Sequence, residues 1–200
     1  RSLFQRLLDA GIPVFAVSWK NPTTAERDWN LDTYAGGVID AVKVVRDVTG
    51  QPRIHLIGVC AGGLAAATAA GVMAARKNDW VDAMSLFINV LDFRPADSDF
   101  GLFVDERSVA AQKAAIRNKG IYAEKDVFEM FALLRIEENI MSFFRSNYLL
   151  GEAPLKHPLL FWSMDYTRVP AEMQCDLLDL SQQNQLAKKE RRVLGKRVDV

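Results

Sequence analysis

Apolar and polar positions recur in two different periods along the first half of the chain. Leu3, Phe4, Leu7 and Leu8 fall at helical spacing over Ser2 to Ala10 and stop at Gly11. Pro13 to Trp19 is a short β-rich run, and Leu31 to Thr49 is an amphipathic helical pattern closed by Gly50. A second apolar run, with Ile54, Leu56 and Ile57, goes into Cys60 and on to an Ala-rich helical stretch reaching about Arg76, and a third follows at Ala83 to Leu91. Helix and strand thus alternate, which predicts an α/β fold built on a mainly parallel sheet, with Lys196 to Val200 as a last strand. The readable strands are too few for a complete sheet of that class, and exposed edges are expected. After Asp92 the character changes. Arg94 to Asp99 reads as a loop, and helical patterns follow around Glu106 to Asn118, Asp126 to Leu134 and Glu138 to Leu150. These define a core sheet over 1–93, a helical lid-like insertion over 94–170 and a return to the core over 171–200.

The junction between the second apolar run and its helix carries the chemistry. Gly58-Val59-Cys60-Ala61-Gly62 is a strand that ends in Gly-x-Cys-x-Gly and continues as a helix, the layout of a nucleophile elbow. Gly58 and Gly62 are expected to permit the tight turn, because a Cβ at either position would meet the neighbouring helix or strand. The turn lifts the Cys60 sulfur above the carboxyl edge of the sheet and places it at a helix amino end, whose unpaired N–H groups favour an anion. The same groups make Ala61 an oxyanion donor. The plainer alternative is a buried, small apolar cysteine in an ordinary strand-to-helix connection.

Composition narrows the setting. The chain has 200 residues, half of them apolar and a quarter charged, as expected of a globular domain. No run approaches the roughly 18 apolar residues of a membrane span. Net charge is zero and the basic residues are scattered, apart from Lys188 to Arg192, which reads as a solvated loop or helix end, so no nucleic-acid footprint is present. The two cysteines, Cys60 and Cys175, imply a reducing compartment if Cys60 is to act as a thiol, and Cys175 falls on an amphipathic pattern as a packing residue. His55 and His157 have no His or Cys neighbours at metal-ligand spacing, so no metal is expected. The chain opens on Arg1 and shows no targeting peptide, which reads as an internal piece of a longer protein.

Five motifs in order resemble those of the polyhydroxyalkanoate synthases, bacterial polyester polymerases of the α/β-hydrolase superfamily. Val17-Ser18-Trp19-Lys20-Asn21-Pro22 is similar to a strand-end V-S-W-[RK]-N-P, and Gly58 to Gly63 to the cysteine-bearing lipase box. Leu102 to Glu106 resembles an F-V-D-E segment, Asn147 to Gly151 an N-Y-L-x-G, and Phe161 to Pro170 an F-W-N-x-D-x-T-R-L-P. The spelling from Asn21 to Trp29 leans toward synthases of medium-chain monomers. One departure is clear: Arg135 to Asn139 stands where the family has R-P-N-D.

The resemblance implies a partial α/β-hydrolase fold, a cytoplasmic acyltransferase associated with polyester granules, and a homodimer. It implies 3-hydroxyacyl-CoA and a growing polyester chain as partners, with the CoA thioester as substrate and no cofactor. Cys60 would be the nucleophile and Ala61 the oxyanion N–H, while Trp162 and Asp165 would lie in the substrate or lid region. The general-base histidine and its orienting aspartate would come from beyond the region ending at Val200, so the isolated piece is expected to be inert. His55 lies five residues before Cys60, roughly 16 Å back along a strand and beyond hydrogen-bond reach. Asp92 is the nearest acid by topology, although a turn or cap role suits it better. The competing functions are a cysteine-elbow thioesterase, in which water takes the acyl group, and a non-catalytic granule-surface module. An Asp and a Gly-His pair encoded downstream in the parent gene would separate the enzymes from the module.

Overall fold

The computed structural model describes residues 2–94, 104–134, 136–154 and 165–200. The chain forms two compact units, one of Arg1–Lys20, Tyr34–Val90 and Arg192–Val200, the other of Asn21–Thr33 and Leu91–Arg191.

In the first unit, helix α1 (Leu3–Asp9) is capped by the Ser2 hydroxyl, which accepts from Gln5 N–H at 3.1 Å. Helix α2 (Leu31–Thr49), whose first residues count with the second unit, buries Ala35, Val38, Ile39 and Val42 along one stripe. Strand β1 (Ile54–Val59) crosses over through helix α3 (Ala61–Ala75) to strand β2 (Val81–Phe87), which pairs with it in parallel from Ile54↔Val81 to Val59↔Phe87. Helix α3 is apolar all round and buried from Gly63 to Ala69 and again from Gly71 to Met73. Its one buried hydroxyl, Thr68, donates back to Leu64 O at 2.8 Å and lies 3.0 Å from Ala65 O, so no polar group is stranded there. Val198 packs onto Gly71 so closely that a Cβ there would lie 2.5 Å from Val198 Cγ1.

Two strand expectations change. Pro13 to Trp19 has no ladder partner among the described residues, and Phe15, Val17 and Trp19 are exposed. A strand exists only through a neighbour's backbone, and none pairs with this run. Lys196 to Val200 is not a strand of the parallel sheet. Residues Lys196–Arg197 (β6) fold back antiparallel on Arg192–Val193 (β5) through Leu194 and Gly195, both at positive φ as a two-residue hairpin loop requires. The small number of readable strands predicts uncovered apolar sheet, and Ile57, Val59, Met84 and Phe87 are exposed.

The second unit centres on two helices. Helix α4 (Glu106–Lys119) starts at Asp105, whose carboxylate accepts from Arg107 and Ser108 N–H, and ends at left-handed Gly120. Helix α6 (Ala171–Gln183) packs on it through Val109, Ile116, Ala171 and Leu178. Two ion pairs flank this seam: Arg117 grips Glu172 through both carboxylate oxygens at 2.8 and 2.9 Å, and Lys113 lies 2.6 Å from Asp179. A two-residue antiparallel pairing joins Ile121–Tyr122 (β3) to Val169–Pro170 (β4). Helix α5 (Glu124–Leu134) leads to π-helical turns at Glu137–Met141 and Phe144–Leu149. The basic run near residue 190 is not wholly solvated: Arg191 is only 17% exposed and lies 2.5 Å from Asp176, whose other oxygen accepts from Leu31 N–H at the start of α2.

Candidate active site

Strand β1 ends at Val59 and helix α3 begins at Ala61, so the reversal between them is made at Cys60 alone. Its backbone takes φ 53 and ψ −126. A residue with a Cβ reaches such a conformation at a cost of about 1–3 kcal/mol and keeps it only where its surroundings over-determine it. The surroundings here do so. Cys60 N–H donates to Phe87 O at 3.0 Å, tying the turn to the end of β2, and Cys60 O accepts from Gly63 N–H at 2.9 Å, Leu64 N–H at 3.3 Å and Asn89 Nδ2 at 2.8 Å.

The glycines divide differently from the sequence expectation. A Cβ on Gly58 would stand 2.5 Å from Gly63 Cα, so strand and helix touch backbone to backbone there. Gly62 has open space around it, and Gly63 is the second constrained position, pressed against the Asn89 side chain. The shift of one residue follows from helix geometry: the third residue after Cys60 faces the strand, whereas the second faces away.

Cys60 is exposed, which sets aside the buried packing role, and its side chain caps no helix N–H. Ala61 is also exposed and is the first helical residue, so its N–H belongs to the group that a helix leaves without an internal acceptor. The chemistry open to this arrangement is attack by an accessible sulfur with a backbone donor beside it. Cys175, the other free cysteine, is buried in α6, and that burial, the largest influence on it, pushes its thiol up.

The remaining candidates fall elsewhere. His55 is exposed on β1 with Nε2 2.9 Å from the Ser85 hydroxyl on β2. Asp92 is held by Arg94 at 2.5 Å and by Asn184 Nδ2 at 2.7 Å, and these hydrogen bonds keep its carboxyl below the usual carboxylate range. Asn184 in turn accepts from Phe93 N–H, so Asp92 belongs to a tethered loop, as its turn-residue reading expected. Asp165 is exposed, and its neighbour Tyr166 packs on Phe128 and Phe131 with ring centroids 5.8 and 6.0 Å away. Trp162 and His157 lie outside the described residues. Two of the motif segments do meet: Asn21 Oδ1 accepts from Arg168 N–H at 3.0 Å. Among the described residues no His, Cys, Asp or Glu cluster could hold a metal ion, and no helix is long and apolar enough to cross a membrane.

A cavity of ≈ 760 Å³ opens at the amino ends of the strands, lined by Arg46, Arg53, His55, Lys77 and Trp80 with their neighbours. Its cations are partly engaged, Arg46 over the Trp80 ring at 4.7 Å and Arg53 with Asp79 at 2.6 Å. Cys60 follows the carboxyl end of β1, so this cavity does not serve it. What sequence reasoning missed is Asn89, whose only trace in the chain is a polar residue in the apolar run Leu86 to Leu91.

No protein-family model matches the chain. Curated relatives do. It is 34% identical over 188 residues to poly(3-hydroxyalkanoate) polymerase 1 of Ectopseudomonas oleovorans, which covers 94% of this chain and 34% of that protein. The poly(3-hydroxyalkanoate) polymerase subunit of Rhizobium meliloti is 32% identical over 204 aligned positions, covering 100% of this chain and 33% of the relative. That of Cupriavidus necator is 32% identical over 181 residues, covering 87% and 30% respectively. The chain therefore spans about a third of the length of the curated relatives it matches.

Proposed function

The chain belongs to the poly(3-hydroxyalkanoate) polymerase family, and on that footing we propose that Cys60 is the acyl-carrying nucleophile, at the elbow of a partial α/β-hydrolase fold, in an enzyme that polymerises 3-hydroxyacyl-CoA. The observation that carries this reading is the exposed cysteine held at positive φ between a parallel strand and a helix start.

The Cys60 sulfur attacks the thioester carbonyl while a base takes its proton, and the CoA thiol leaves with a proton in return. One thioester replaces another at nearly equal energy, so the acyl group stays activated. The hydroxyl of a second 3-hydroxyacyl unit then attacks the Cys60 thioester, forming an oxygen ester and freeing the sulfur, a downhill step that drives chain growth. In each addition the carbonyl oxygen gains negative charge, and Ala61 N–H is the donor that meets it on this reading. A histidine base and an orienting carboxylate, supplied from outside these residues, complete the reaction. The helical segments Glu124–Leu134, Glu137–Met141 and Phe144–Leu149, with Phe128, Phe131, Phe144 and Tyr148 exposed, offer the apolar surface that a lid over an acyl chain or a polyester granule needs, and on this reading Trp162 and Asp165 serve the same substrate region. A homodimer working at granules in the cytoplasm, with medium-chain monomers, completes this reading.

In the full-length protein, Cys60→Ala is expected to abolish CoA release from 3-hydroxyacyl-CoA, and Cys175→Ala to leave most of it. Retained turnover in the Cys60 variant would end the assignment. CoA release that yields free hydroxy acid instead of polyester would assign the elbow to a thioesterase.

A further inference from the structure

We propose that Asn89 is a positioning residue that sets the direction of the Ala61 N–H; this rests on the reading of Cys60 and Ala61 given above. The peptide unit between Cys60 and Ala61 is planar, so its C=O and its N–H point in opposite directions along one rigid plate. Whatever pins Cys60 O therefore aims Ala61 N–H. Of the three donors to that oxygen, Gly63 N–H and Leu64 N–H belong to helix α3 itself. Asn89 Nδ2, at 2.8 Å, is the donor that comes from beyond β2.

Three features of the structure hold Asn89 to that task. The preceding residue, Ile88, takes φ 51, a conformation that a β-branched side chain rarely adopts, and it turns the chain just after β2 ends. Gly63 leaves the room the amide occupies, since a Cβ there would lie 2.7 Å from Asn89 Nδ2 and 2.9 Å from Cγ. Finally, Asn89 Oδ1 is buried with no hydrogen-bond partner among the described residues. Flipping the amide would set this oxygen against Cys60 O, acceptor to acceptor, so the donor orientation is the one that Cys60 O dictates. A stranded acceptor is costly, and an apolar residue of the same size would avoid it. Its presence identifies the donor as the reason for Asn at this position.

The test uses the full-length protein with Asn89→Leu, which matches the shape and removes both the donor and the stranded oxygen, and Asn89→Asp, which places an acceptor against Cys60 O. Both are expected to lower kcat for CoA release by about 10- to 100-fold with KM within about twofold, the signature of a donor that acts mainly in the transition state. Alkylation of Cys60 by iodoacetamide forms no oxyanion, so its rate is expected to stay within about threefold of wild type. Gly63→Ala, which pushes the amide aside, is expected to reproduce the kcat loss and to add little to it in the Asn89→Leu background. An Asn89→Leu variant with wild-type kcat would overturn the proposal. A variant that loses kcat, alkylation rate and thermal stability together would overturn it as well, by assigning Asn89 to the fold alone. Retained turnover in Cys60→Ala would instead remove the premise, whatever the Asn89 variants do.

Discussion

Two glycines four positions apart, Gly58 in the strand and Gly62 in the helix, show how unequal equivalent-looking residues are. Gly58→Ala forces a Cβ to within 2.5 Å of Gly63 Cα, a backbone atom that cannot swing away. The expected cost is at least about 1–3 kcal/mol of stability, read from urea unfolding, together with loss of Cys60 reactivity. Gly62→Ala meets nothing within 4 Å and lies in the first turn of α3, so a gain of up to about 1 kcal/mol is expected from the lower backbone entropy of the unfolded chain. The same measurement distinguishes them, and equal effects would contradict the close approach. Cys60 itself was legible because a strand, a Gly-x-Cys-x-Gly and a helix stand next to each other in sequence. Asn89 was not, because it reaches Cys60 O across 29 positions.

At the scale of elements, the seam between α4 and α6 depends on protonation. The Arg117 guanidinium, bonded to both Glu172 oxygens, holds that carboxyl below its ordinary value of 4.5, and the Arg117 group is raised by the same contact. A carboxyl depressed in the folded state contributes stability that is fully present above its unfolded value and is lost as pH falls through the folded one. The thermal midpoint is therefore expected to be level above about pH 5 and to decline below it, with Glu172→Gln lowering the plateau and flattening the acid limb. An acid limb unchanged in Glu172→Gln would assign the loss to other carboxylates. Helix α4 also depends on its cap: Asp105→Ala removes the acceptor of two N–H groups and is expected to cost about 1 kcal/mol. Asp105 lies in the segment that resembles the family's F-V-D-E, and in the structure it starts a helix.

Across the whole chain, both units leave large apolar side chains in water. In the first, Ile57, Val59, Met84 and Phe87 are exposed on the parallel strands, and in the second, Phe128, Phe131, Phe144 and Leu149 on the helical segment. The 200-residue chain on its own is accordingly expected to self-associate or bind an apolar dye, and sedimentation at micromolar concentration checks this. A monodisperse monomer that unfolds cooperatively would contradict it. Helices α2, α3, α4 and α6, and the strand-Cys60-helix succession, follow from the sequence alone, since each is written in residues a few positions apart. Pro13 to Trp19 has the composition of a strand without a partner among the described residues to make it one, and Lys196–Arg197 fold back on Arg192–Val193 as a hairpin, with Leu194 and Gly195 both at positive φ in its turn. Tertiary structure alone decided that Gly63 and not Gly62 is pressed, that Asp92 is tied to Asn184, and that an asparagine beyond β2 pins the Cys60 peptide. Local period fixes which residues share a face, but close approach and hydrogen bonding across a turn depend on where distant backbone arrives, which no local pattern encodes.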